Sequence, residues 1–370
     1  MSITLWNWPS YYFLGLDLNV YDSSQFSEIQ GIEEGLHLIT WARRDIAGLV
    51  SGAVVSFEDR TNLLLKFDER SESVELEFVD GIVATNGPTQ QGRAKDSAKA
   101  RTIPFRPSTD WNRLSRFISL ELLGRLFSKS SKNGPAGSAF LIDTSTYSNT
   151  DQASSAAEQL PIMQPGKDDF VLHIGHERSI QAYDKSFLFQ RLVHTSWNND
   201  STNALGEFSL AFLLYLELSH YGSYLQWHNL IRLILQSYQY AREEAEYFTT
   251  FLYLLRSQLE YMNDKHSTKE LLPDEGIFAQ LFEQLHEEQS EESFAPAVYT
   301  AIRALEESIR DNVSHPKSTA QTSAAQSTPT FSEMFDEGNE AELYEMEHHE
   351  TVSSVIEPNE NTKHTLNESN

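Results

Sequence analysis

Cysteine is absent from the 370 residues, which excludes disulfides, thiolate metal sites and thiol nucleophiles. Positive charge is scarce: 28 Lys and Arg stand against 54 Asp and Glu, a formal charge of -26. A chain so acidic repels phosphate rather than displacing counterions from it. It is therefore expected to make no direct contact with RNA or with an anionic membrane surface. No apolar run approaches the roughly 18 residues that a bilayer span needs. The longest greasy stretch, Phe208 to Leu216, ends at Glu217. The N-terminus, MSITLWNWPSYYFLG, has no basic leader region, so no signal peptide is expected and the chain reads as intracellular and soluble. There is no G-x-S-x-G, no P-loop and no Gly-rich dinucleotide fingerprint. With no catalytic constellation to argue from, no enzymatic activity and no cofactor are expected.

What is present falls into four regions. Residues 1–127 read as a β-rich domain with a closing helix. Gly52 to Phe57, Asn62 to Phe67 and Ser73 to Val79 are short strand-like runs, and the last alternates Val74, Leu76 and Phe78 with Glu75 and Glu77. Such runs joined by close turns predict an antiparallel sheet or sandwich. A loop over 83–108 gathers Arg93, Lys95, Lys99, Arg101 and Arg106 against Asp96 alone, a basic patch read first as a solvated loop. Trp111, Leu114, Phe117, Ile118 and Leu122 then recur at helical spacing, predicting one helix to about Phe127.

Residues 128–168 are rich in Ser, Ala, Gly and Asn and read as a flexible linker. Residues 169–313 read as an all-α domain after a short entry strand at Phe170 to Ile174. Helices are expected from about Ala182 to Thr195, from Leu205, from Tyr224 to Ser237, from Glu243 to Met262, from Phe278 to Glu288 and from Phe294 to Val313. The second is apolar nearly all round, the mark of a helix packed on every side. Residues 314–370 form an acidic tail. From Phe331 onward it holds eleven acids against Lys363, and it reads as disordered apart from the β-prone Thr351 to Ile356.

Two motifs tempt and fail. His173-Ile-Gly-His176 spells the HIGH box of class I aminoacyl-tRNA synthetases, but a Ser-rich linker precedes it where a nucleotide-binding sheet is required. His348-His349 among glutamates reads as a solvated stretch, so no metal site is expected.

The most informative block is Leu205 to Phe212 (LGEFSLAF) followed by Tyr221 to His228 (YGSYLQWH). It resembles the AAR-two family of splicing factors, whose hallmark is a G-E-L-Q-F-A-F helix and a second helix containing Q-W. Gly206, Glu207, Ala211 and Phe212 match, as do Gln226 and Trp227, while His220-Tyr221 stands where a Gly-Asn pair is common. Gly15-Leu-Asp17 is similar to the family's G-I-D, and Phe26 to His37 to its F-x-G-x-K-x-I-P-P-G-x-H, with Gly35 and His37 kept. Phe208, Phe212 and Trp227 are expected in the core, so these signature residues are read as structural.

The resemblance implies a β-sandwich-like N-terminal domain and a VHS-like helical C-terminal domain. It implies a non-enzymatic assembly factor of the U5 small nuclear ribonucleoprotein, found in cytoplasm and nucleus. Such a factor binds the Prp-eight scaffold at its RNase H-like and Jab/MPN domains and delays docking of the Brr-two helicase. It also implies that the tail adds a strand to the partner, which would fall on Thr351, Val352, Val355 and Ile356. No homo-oligomer is implied. Ser237, at the end of an apolar helix, is the candidate phosphorylation switch for release. The competing reading, from helices alone, is an adaptor that binds peptide signals in membrane traffic.

Overall fold

The computed structural model describes residues 1–44, 50–58, 61–80, 101–127, 131–134, 137–142, 184–265, 278–279, 282–283 and 294–314. By internal contacts the chain divides into Met1–Asp336 and Glu337–Asn370, and all described residues belong to the first.

The N-terminal region is a two-sheet sandwich. Its strands are β1 (Ser2–Trp6), β2 (Tyr12–Leu16), β3 (Asn19–Asp22), β4 (Glu28–Gln30), β5 (Gly35–Arg43), β6 (Val50–Phe57), β7 (Thr61–Asp68), β8 (Ser73–Asp80), β9 (Thr102–Pro104), β10 (Ser131–Gly134) and β11 (Gly137–Ile142). One sheet has the order β8-β7-β1-β4-β9 and the other β10-β11-β6-β5-β2-β3. The second is antiparallel throughout, whereas β1 with β7 and β4 with β9 run parallel in the first. Ile3, Leu5, Ile29, Leu63 and Leu65 of the first sheet meet Leu14, Leu16, Ile39, Val55 and Phe57 of the second.

The central strands of the second sheet are buried on both faces. On β5, Ile39 and Trp41 enter the sandwich, while Leu38 and Ala42 join the core shared with the helices. That double burial explains why Gly52 to Phe57 reads as a continuous apolar run rather than an alternating one. Gly52 lies where β6 passes beneath a helix: a Cβ there would stand 2.8 Å from the Ile39 carbonyl oxygen and 2.9 Å from a Leu218 methyl.

The helices are α1 (Thr109–Ser115), α2 (Leu120–Leu126), α3 (Ser186–Thr195), α4 (Thr202–Leu218), α5 (Tyr221–Leu235), α6 (Tyr238–Glu243), α7 (Ala245–Lys265) and α8 (Pro296–Ser314). The all-round apolar helix is α4. It packs against α5, α7, α1, α2 and β6, and so lies at the centre of the helical core. Each large apolar side chain buried there contributes about 1.5–3 kcal/mol, which outweighs the modest helix propensity of its Phe, Ser and Gly residues.

Several boundaries differ from expectation for identifiable reasons. The single helix expected up to Phe127 is two, because the Ser119 hydroxyl accepts the Leu122 N–H and starts α2 afresh, as Ser108 does for α1. Part of the expected linker is structured: β10 and β11 form a hairpin, and β11 pairs with β6 from Gly137 to Ile142. Ala139, Phe140 and Ile142 are buried there, so four apolar residues in six outweigh the surrounding Ser/Gly composition. The break expected at Tyr221-Gly-Ser223 is instead the first turn of α5. His220 caps it, its Nδ1 accepting the Ser223 N–H at 3.1 Å. Burial lowers this imidazole to about 4, so it is neutral and able to accept. The entry strand at Phe170 to Ile174, the basic positions Arg93, Lys95 and Lys99, and the acidic tail lie outside the described residues.

Candidate functional site at the domain junction

The signature residues sort into two buried clusters, one inside the sandwich and one where sandwich and helices meet.

The first is built on a two-residue hairpin turn between β2 and β3. Asp17 and Leu18 have φ of 52° and 69°, the doubly left-handed pattern of a type I′ turn. The turn sends the Asp17 carboxylate inward, where one oxygen accepts the Leu38 N–H at 3.0 Å and the other meets His37 Nδ1 at 2.5 Å. His37 Nε2 lies 3.1 Å from the Glu33 carbonyl oxygen. With an acceptor at each ring nitrogen, the geometry favours the protonated imidazole, while burial raises the Asp17 carboxyl that faces it against the pull of the His37 hydrogen bond and charge. Burial pulls His37 down, but the Asp17 hydrogen bond and charge outweigh it and leave the group above its ordinary 6.5. Gly35 opens β5 at a φ of +132°, which only glycine adopts easily. Gly15 pairs with Val20 and Thr40 in the middle of the same sheet. These four residues fix how β2, β3 and β5 come together.

The second cluster joins the two halves of the molecule. Gly206 lies in the first turns of α4, where the chain between α1 and α2 crosses it. A Cβ at this position would sit 2.3 Å from the Phe117 carbonyl oxygen and 2.8 Å from a Leu122 methyl. Alanine would gain about 1 kcal/mol of helix propensity, but a backbone oxygen has no rotamer to yield, so glycine is the better residue. The close approach brings Glu207 under α2. Only 4% exposed, it receives the Gln226 amide at 2.7 Å on one oxygen. The other oxygen takes the Trp197 indole N–H at 2.8 Å and the Arg125 guanidinium at 3.2 Å. Burial pushes the Glu207 carboxyl up, while the Trp197 hydrogen bond, the Arg125 charge and the Gln226 amide pull it back toward ionisation.

The signature thus brings Glu207 and Gln226 into direct contact, while Trp227 supports them from behind. Its indole donates to Gln258 on α7 at 2.7 Å, and its ring packs with Phe208 and Phe212. All three aromatics are fully buried. Three partners in this network were not legible in sequence: Arg125, Trp197 and Gln258. Arg125 is a lone cation in LELLGRL, and Trp197 sits in the polar run HTSWNND, so each carried at most a faint signal. Asn198 adds a bond to Glu121 at 3.2 Å across the same seam, and the Trp111 indole ties α1 to β5 through the Leu36 carbonyl at 3.1 Å.

Ser237 does not end α5, which stops at Leu235, but precedes α6. It is 1% exposed and its hydroxyl donates to the Leu233 carbonyl at 2.7 Å. The tail residues Thr351, Val352, Val355 and Ile356, like His173 and His176, lie outside the described residues. No helix among the described residues is long and apolar enough to cross a membrane.

Two predictions follow from this geometry. Glu207→Ala strands the buried Trp197 indole and Gln226 amide and releases Arg125 to solvent, and should cost about 3 kcal/mol in denaturant unfolding. Glu207→Gln, which keeps the shape and one acceptor, should cost less than half of that; equal costs would show that the carboxylate matters only as packing. At the other cluster the sign of the pH dependence is fixed by the raised His37. While Asp17 is ionised, the contribution of His37 is fully present below pH 6.5 and fades as pH rises through the higher folded value; at acid pH it is lost again as the burial-raised Asp17 carboxyl protonates. The thermal midpoint of the wild type minus that of Asp17→Asn should therefore be largest near pH 6 and shrink by pH 9. A gap that widens with pH would contradict the assignment.

Two family models match the chain in the order of its domains. The AAR2 N-terminal domain matches residues 2–128, and the AAR2 C-terminal repeat region matches residues 167–315. Together they take in about three quarters of the chain, and the Gly206–Glu207 junction is one of the places where the two matched regions touch. The chain belongs to the AAR2 family, a family of U5 small nuclear ribonucleoprotein assembly factors.

Proposed function

We propose that this protein is a non-enzymatic assembly chaperone that binds the Prp-eight scaffold of a U5 precursor particle and delays docking of the Brr-two helicase. The observation that carries the proposal is the ordered pair of family matches, joined through a buried seam. An assembly factor has to hold a large partner in one arrangement. A seam built from a glycine contact and a buried carboxylate answered by a partly exposed arginine suits that task, because it fixes sandwich and helices as a single platform. The RNase H-like and Jab/MPN domains of the scaffold are the partners, and the protein acts in cytoplasm and nucleus.

The tail contributes by strand addition through Thr351, Val352, Val355 and Ile356. Main-chain hydrogen bonds supply affinity in this mode and alternate side chains supply specificity. Ser237 serves as the release switch. Since it is buried, its phosphorylation requires local opening between α5 and α6, and a phosphate there prevents the junction from closing again.

The test is size-exclusion chromatography of the protein with the RNase H-like and Jab/MPN fragments of its cognate scaffold. The full chain should form a complex with both. A chain ending at Asp336 should bind about tenfold more weakly, since every 1.4 kcal/mol lost is a factor of ten. Ser237→Glu should weaken the complex while the tail remains in place. Absence of any complex with the full chain would overturn the proposal. A complex indifferent to the truncation would remove the tail from it.

A further inference from the structure

The outermost strands of a sheet carry unpaired N–H and C=O groups, and folded proteins keep such edges short, bulged, charged or interrupted by proline. Among the described residues, three of the four sheet edges are short. β3 and β10 have four residues each, and β9 has three, of which Pro104 lacks an N–H. The fourth edge, β8, is different. It runs for eight residues without proline, and its pairing with β7 holds from Ser73 opposite Asp68 to Asp80 opposite Thr61 with no bulge. Among the described residues no strand pairs with its outer side, and side-chain charge is its one protection. We propose that β8 accepts an extended basic segment of a partner protein as an added strand. The proposal goes beyond the assembly-factor reading and does not rest on it. It is also separate from the tail, because here the sandwich receives the strand.

The backbone supplies the first half of the match. In an antiparallel ladder every second residue turns both its N–H and its C=O away from the neighbour, so β8 offers these groups along an edge of about 26 Å. The side chains supply the rest. On the sandwich side Leu76 is buried, while Val74 and Phe78 pack against the core but are only partly covered. An added strand with apolar residues on that side completes their burial. On the solvent side stand Glu75 and Glu77, both exposed. Lys66 of β7 is bonded to Glu77. Glu72, just before the strand, is answered by Arg43 at 3.3 Å. Glu75, opposite Lys66 in the register, has no cation of its own among the described residues.

These charges choose the occupant. The simplest candidate for a free edge is the same edge of a second copy. Antiparallel pairing of two β8 strands centred on Leu76 sets Glu75 of each copy opposite Glu77 of the other, and like charges directly opposite are destabilising. A strand with Lys or Arg at alternate positions removes that repulsion and gives Glu75 its missing cation. The same two glutamates therefore reject self-pairing and favour a basic strand, which is specificity by a repulsive and an attractive element together. The protein's formal charge of -26 steers a basic segment in the same sense. The occupant is thus a segment that alternates basic residues, facing solvent beside Glu75 and Glu77, with apolar ones that cover Val74 and Phe78.

The experiment uses the full chain and the peptide acetyl-Lys-Val-Lys-Val-Lys-Val-Lys-amide as probe. Binding is followed by NMR at the backbone amides of β8. The peptide should shift the amides of Val74 to Val79 saturably. A second peptide, N-methylated on the central valine and the lysine after it, keeps every side chain and charge but loses one N–H on each edge. It should bind at least about tenfold more weakly, as should the analogue with glutamate for lysine. Glu75→Lys should weaken binding of the first peptide by about tenfold, with an unchanged circular dichroism spectrum showing that it folds. No shift at β8 overturns the proposal. Equal binding of the N-methylated peptide shows attraction by charge alone and overturns the added strand. A dimer of the full chain in sedimentation, with the β8 amides protected from exchange in it, gives the edge to a second copy and likewise overturns the proposal.

Discussion

Glu207 is a carboxylate enclosed between two domains, and it is tolerable there only because donors from three separate elements converge on it. Removing an ion of this size from water costs several kcal/mol even after relaxation. Trp197 and Gln226 offset part of that cost from within the helical region, but both are neutral donors. The positive charge comes from Arg125 on α2, across the seam. The helical core is therefore completed electrostatically by the N-terminal region. Gly206, one residue earlier, makes the approach sterically possible. The same few residues explain why α1 and α2, which follow the strands in sequence, belong to the helical core in space.

This arrangement also explains the double burial of the second sheet. Its inner face closes the sandwich and its outer face lies beneath α1, α2 and α4, so one sheet serves two cores. Within the sandwich, the Asp17–His37 pair does on a smaller scale what Glu207 does at the junction. It places a polar bond where the path of a hairpin must be fixed. In both clusters a glycine nearby allows the backbone to come close or turn sharply, at Gly35 and at Gly206. A junction of this kind gives an assembly factor a rigid face.

Much of the fold was legible where periodicity was strong. The alternation in β8, the apolar run of β6 and the all-round greasiness of α4 each announced their environment, because burial on one face, two faces or all sides leaves a distinct pattern. The β10–β11 hairpin was hidden because Ala139 to Ile142 is a short apolar run inside a Ser/Gly-rich stretch, and its burial depends on β6, far away in sequence. The break between α1 and α2 was a matter of one serine hydroxyl. At the junction, Gly206, Glu207 and Gln226 stood out through family resemblance, while Arg125, Trp197 and Gln258 did not. Nothing local marks a residue whose role is to satisfy a carboxylate about eighty positions away, as Arg125 does for Glu207.

The seam makes sandwich and helices one cooperative body. Native-state hydrogen exchange on the full protein tests it most directly, by comparing amides of β5 and β6 with those of α4 and α5 as denaturant is raised. The two sets should converge on one opening free energy and one denaturant dependence, and lose protection together. Separate free energies for the strands and the helices, with the helices still protected after the sandwich has opened, would contradict it.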